Sequence, residues 1–346
     1  MGIFDRFRYR DLRPLLALLA AAGTVLLAFV PSGAWLNGAQ TPDEQLYAVL
    51  AKQLLTVLLL LIVPALWARL AHRTRPWVFV FLLGLAFGGG LLFSGDVPGA
   101  LFTVLLIALP GAGLYFLQRL GLSNFRVVIY ESLLIFAALF GYACLPDLIR
   151  QGDAYASAAW IIRLYEQMLD GAALQYAEAG GEQIFAAIKE TIDVYRTNAD
   201  AIAVSVLMIP AMAGGLTNVL ASHRLNRNGG VQLSRLPRFS EWRCESWYVI
   251  MAAVFSFAAL LLRLFGAQHA AVLSSAAESL WRMPCALAGL CAVRALAERF
   301  RRNWVFWLTV ALLFLLPSVT LMLLSLLGAL ASLRKSMTIG EDGVRK

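Results

Sequence analysis

Two ionisable residues sit one helical turn apart inside an apolar run: Glu278 and Arg282, in "AVLSSAAESLWRMPCALAGLCAVRAL". At membrane depth such a charge costs about 2.5 to 3.5 kcal/mol on insertion scales, so both are expected to face a bundle interior or a cavity. Spacing of i to i+4 lets them pair with each other on one helix face. Two roles fit: a substrate or proton site, or a neutralised pair that helps the helix pack. Lys52, next to Gln53 in the second apolar run, and Glu131, early in the fifth, are further ligand-binding candidates. Lys52 can snorkel toward the outer surface, and Glu131 lies near a run end where water is available, so a structural role suits both.

Catalytic apparatus is missing. There is no G-x-S-x-G, no Walker lysine, no H-E-x-x-H and no pair of intramembrane aspartates. No catalytic residue is assigned, and the protein is expected not to be an enzyme. The four cysteines (Cys144, Cys244, Cys285 and Cys291) have no C-x-x-C spacing, so neither a zinc site nor a disulfide framework is expected. No metal and no cofactor is called for.

These charges stand out because the chain has so few. Of 346 residues, 60% are hydrophobic and 14% charged, against roughly 25% charged in a soluble domain. A run of about 20 apolar residues crosses the hydrocarbon core as a helix. Nine such runs occur, at about 15–30, 46–70, 78–93, 101–117, 127–145, 201–221, 248–265, 271–296 and 305–333. The fold class is therefore all-α, a polytopic transmembrane bundle of eight or nine spans, and the lipid bilayer is the first partner. A net charge of +8 does not imply nucleic acid, because the basic residues cluster between apolar runs, where they set orientation.

Four arginines precede the first run. A retained first span fits, a signal peptide with "SGA" at 32–34 as its cleavage site is the alternative, and both place the N-terminus inside. Arg69, Arg73 and Arg75 after the second run and Arg119 and Arg126 around the fourth loop continue the positive-inside pattern of a cytoplasmic N-terminus. Nine crossings leave Arg334, Lys335, Arg345 and Lys346 outside, against that pattern. Eight crossings, with one run re-entrant or interfacial, are the alternative, and 305–333, overlong and holding Pro317, is expected to kink or tilt.

Three regions follow: N-terminal spans at 1–145, an extracytoplasmic segment at 146–200, and C-terminal spans at 201–346. The middle segment carries nine acidic and four basic residues. Stripes at Ile161, Leu164, Tyr165, Met168 and Leu169, and at Ile184, Ile188, Ile192 and Tyr195, predict two amphipathic helices hinged at Gly180 and Gly181. They form a cover, a lid or an interfacial layer. The stretch 223–245 has five arginines, two glutamates, a Gly229–Gly230 turn and Pro237. It is expected to anchor the cytoplasmic side, with Trp242 and Trp247 at headgroup depth, and Arg235, Arg238 and Trp242 are its candidates for partner contact.

The motifs "LIALPGAGLYFLQRLGLS" (106–123), "MIPAMAGGLTNVLASHRLNRNGG" (208–230), "LPRFSEWRCESW" (236–247) and "LLSLLGALASLRK" (323–335), in this order around a long amphipathic segment, carry a resemblance. The chain resembles the YybS-like bacterial membrane proteins, a family of unknown molecular function, over most of its length. That family looks distantly similar to the substrate-capturing subunits of energy-coupling-factor vitamin transporters. The resemblance implies a helical bundle that holds a small ligand, and a coupling partner that contacts small residues of the first span, here Ala17 and Ala21 with Ala20, Ala22 and Gly23. The expected function is binding or carrying a small solute. A membrane scaffold or regulator, holding a membrane-protein partner through its spans and basic loop, is the alternative.

Overall fold

The computed structural model describes residues 12–32, 41–73, 76–178, 181–226, 238–266 and 270–343. Every regular element among them is helical: α1 (Leu12–Ser32), α2 (Pro42–Leu60), α3 (Val63–Arg73), α4 (Pro76–Ser94), α5 (Val97–Arg119), α6 (Asn124–Gln151), α7 (Ala156–Glu178), α8 (Glu182–Thr197), α9 (Ala199–Asn226), α10 (Ser246–Leu264), α11 (Ala270–Arg299), α12 (Asn303–Leu315) and α13 (Pro317–Gly343), with a short turn of 3-10 helix at Phe239–Glu241. Eight stretches, α2 and α3 counting as one, are long and apolar enough to cross a membrane, and the apolar parts of α12 and α13 are shorter. The chain is a multi-pass, all-helical membrane protein.

Local chemistry sets the helix ends. Thr41 and Glu44 form a reciprocal capping box before α2, with Pro42 in the first turn. Asp96 caps α5 by accepting from Gly99 N at 2.7 Å, and it pairs with Arg150 at 2.6 Å. Within the spans, hydroxyls turn back onto their own helix: Thr24 to Ala20 O, Thr56 to Lys52 O and Ser132 to Val128 O, each at 2.7 Å. In hydrocarbon this is how a Ser or Thr satisfies its donor without water.

The contacts divide the chain into two compact units. The first takes residues up to 122, 127–203 and 213–233; the second takes 123–126, 204–212 and 234–346. In the first unit α1 packs on α3 and α4, and α5 on α3 and α4. Trp67 of α3 is fully buried, donates from Nε1 to Thr24 Oγ1 at 2.8 Å, and lies against Gly111 of α5. Gly23 of α1 sits on Val63, Gly89 of α4 on Ala28, and Gly90 on Ala100 and Thr103, so these glycines bring backbones together.

The long polar segment forms the two expected helices, α7 ending at Glu178 and α8 starting after Gly181; Gly180 lies outside the described residues. α7 packs on α2 and on α8. Leu164, Leu169 and Ile192 are buried, whereas Tyr165, Ile184 and Tyr195 are exposed, so each stripe is only partly covered. Lys189 pairs with Asp170 at 2.9 Å and Arg196 with Glu166 at 3.7 Å, tying α8 to α7.

In the second unit α11 and α13 form the closest pair. Gly289 lies against the Leu324 carbonyl and Gly328 against the Cys285 carbonyl, so the helices run antiparallel with their backbones in contact. This register sets the start of α13 level with the last turns of α11. α12 lies between them in the chain and packs on both. The run at 305–333 is interrupted at Pro317, where a kink is expected. It breaks at Leu316, whose backbone (φ −133°, ψ 64°) lies outside the helical region that a following proline disfavours.

Candidate functional site

The first unit's interior contains a broken span. Pro64 has no N–H, so the carbonyl of Leu60, one turn earlier, loses its helical donor. The chain turns at Leu61 and Ile62 between α2 and α3. Asn218 of α9, fully buried, supplies the missing donor from Nδ2 at 2.9 Å. Its Oδ1 has no hydrogen-bond partner among the described residues. Discontinuous helices of this kind line the binding sites of many transporters.

Beside this break, α6 and α9 approach closely. Gly214 meets Ile135, and Gly215 meets Ser132 and the Val128 carbonyl. Glu131 of α6 is next to Ser132 and Asn218 is one turn from Gly215, so the two flank one helix contact. Glu131 is completely buried, and neither of its carboxyl oxygens has a hydrogen-bond partner among the described residues. On α5, a β-carbon at Gly113 would lie 3.8 Å from Glu131 Oε2. Polar groups continue in the same unit: His72 Nε2 and Gln118 Oε1 are 3.0 Å apart, and Gln118 Nε2 donates to Ser222 Oγ. Arg69, one turn before His72, is buried as well.

The family model described as a predicted membrane protein, DUF2232, matches residues 47–330, well over half of the chain. The chain belongs to the DUF2232 family. This agrees with the YybS-like resemblance carried by the four motifs. No curated protein and no solved structure matches.

In this DUF2232 protein the candidate residues are scattered. Arg282 does donate to Glu278, as their spacing requires, but the side chains are 37% and 52% exposed. Of the expected positions, a bundle interior or a cavity, the packed interior of the unit is not where they lie: Ala277 and Cys285 occupy the buried face of α11, and Glu278 falls on the open one. Glu131 also departs from expectation, being sealed from solvent instead of sitting where water is available. Lys52 is half-buried on α2, and Ala17 and Ala21 are half-buried on α1, whose Ala20, Gly23 and Thr24 are buried.

Of the basic stretch, Arg235 lies outside the described residues, Arg238 is exposed and Trp242 is half-buried. Its organising residue is Glu245, which accepts from Arg126 Nε at 2.7 Å, from Ser123 Oγ and from Trp247 Nε1. Burial pushes its carboxyl up, but these three donors outweigh that and hold it below the usual carboxylate range. Sequence reading missed Asn218, Gln118 and Ser222. An asparagine inside "MAGGLTNVLASH" and a proline in the middle of a 30-residue span were the available signals.

Proposed function

We propose that this protein binds or carries a small solute within the membrane, at a site in its first compact unit anchored by Glu131 and flanked by Asn218 and the α2–α3 break. The observation that carries this reading is a fully buried carboxyl without a hydrogen-bonding partner. A buried carboxyl without a hydrogen-bonding partner costs stability in either protonation state, and intramembrane ionisable residues mark ligand and ion pathways. The reading is of a binder or carrier, not an enzyme. It places the protein in a bacterial cytoplasmic membrane with its N-terminus inside, as loop arginines favour.

A scaffold or regulator is the second reading, favoured by the open Glu278–Arg282 pair and the exposed apolar flank of α10 at Met251, Val254 and Phe257. The two are separated by a thermal-stability screen of the detergent-purified protein against small solutes, run beside partner recovery from crosslinked membranes. Solute binding predicts stabilisation in the wild type and none in Glu131→Leu. Crosslinked partners lost from Glu278→Gln/Arg282→Gln, with no solute stabilising the wild type, would favour the scaffold.

A further inference from the structure

Once Glu131 gives up its proton, the unmet groups at the site are all acceptors, and that restricts what can replace the proton. Glu131 offers two carboxyl oxygens and Asn218 one amide oxygen, all without hydrogen-bond partners among the described residues, on two helices that touch at Gly215. The amide donor of Asn218 is already committed to Leu60 O at 2.9 Å. A carboxylate that leaves water recovers its solvation only from an opposite charge or from several donors. A β-carbon at Gly113 would meet Leu134 and one at Gly215 would meet Ser132, so both glycines pack helices closely beside these groups. Resting on the solute-binding reading above, we infer that Glu131 and Asn218 bind a small monovalent cation, either the protonated amine of a solute or an alkali metal ion. An anionic solute is excluded from direct contact with this pair by the same argument.

The test uses purified full-length protein in mild detergent and a hydrophobic carbodiimide. This reagent adds the carboxyl O–H across one C=N bond to give an O-acylisourea, which rearranges to a stable N-acylurea with no leaving group. Modified peptides are quantified by mass spectrometry after exposure to methylammonium chloride, sodium chloride or choline chloride at equal ionic strength. Modification at Glu131 is expected to fall about fivefold or more in methylammonium, or in sodium, relative to choline, the bulky quaternary control that has no N–H to donate. Protection by methylammonium alone identifies a solute amine; protection by sodium alone identifies an alkali ion.

Equal modification in all three salts would overturn the inference. So would equal protection in Asn218→Leu, provided that variant remains folded by its melting curve. Glu131→Gln must lose the modified peptide, which checks the assignment. If neither cation protects but a neutral or anionic solute stabilises the wild type and not Glu131→Leu, the cation inference fails while the solute-binding reading stands. If no solute of any charge has an effect, both fail.

Discussion

Asn218 of α9 donates to the carbonyl of Leu60, 2.9 Å away, in place of the N–H that Pro64 lacks. The same device recurs in the second unit: Pro284 leaves the Leu280 carbonyl without its helical donor, and Tyr248 of α10 donates to it from its hydroxyl. Each proline thus breaks a helical hydrogen bond, and a side chain from another helix closes it.

Removing either donor leaves a carbonyl unmatched where water is scarce. Asn218→Leu and Tyr248→Phe should each lower stability by about 1 to 3 kcal/mol. Restoring the helical N–H should remove much of that penalty. In double-mutant cycles Pro64→Ala is expected to rescue Asn218→Leu, and Pro284→Ala to rescue Tyr248→Phe, by melting temperature in detergent. Additive losses would contradict the capping role.

Glu131 should behave as a functional burden on stability. Glu131→Leu removes a polar group that has no partner and should raise stability by about 1 to 3 kcal/mol, while abolishing solute binding. A carboxyl that merely supports packing would give the opposite sign in the melting curve.

The α11–α13 contact tolerates no side chain at its centre. Gly289→Val and Gly328→Val would each force a methyl-bearing carbon into a facing carbonyl, and a loss of about 1 to 3 kcal/mol, or failure to assemble, is expected. Gly88→Ala, with nothing within 4 Å of its β-carbon position, should be nearly neutral in the same melting assay.

The Glu245 cluster should weaken in acid. Its folded carboxyl titrates below the ordinary value, so the stabilisation is fully present above the unfolded-state value of about 4.3 and is lost as pH falls through the lower folded value. Trp247 fluorescence should report this, since its indole N–H bonds to the same carboxylate. Glu245→Gln should flatten the acid transition, whereas an unchanged transition would assign it to other groups.

The spans were legible because long apolar runs have one stable solution in lipid. The α7–α8 break at Gly181 was legible for a related reason, since two apolar stripes stop on either side of it. What hydropathy does not encode is the direction a side chain faces once several helices pack. Glu278 and Arg282 paired as their spacing dictates, yet they lie on the open face of α11 because alanines and cysteines fill its buried one. Glu131 looked peripheral by its distance from the loop, and the approach of α5 at Gly113, beside the α6–α9 contact at Gly215, is a packing feature that hydropathy does not carry. The break at Leu316 was legible in Pro317, but the α11–α13 contact through Gly289 and Gly328 joins glycines nearly 40 positions apart, which no local pattern contains.

Native mass spectrometry of the protein released from mild detergent measures the role of Glu131 most directly. A solute site there predicts a small-molecule or ion adduct on the wild type that is missing from Glu131→Leu, although that variant melts at the same temperature or higher. Identical adduct patterns in the two proteins, or a Glu131→Leu variant that melts well below the wild type, would contradict it.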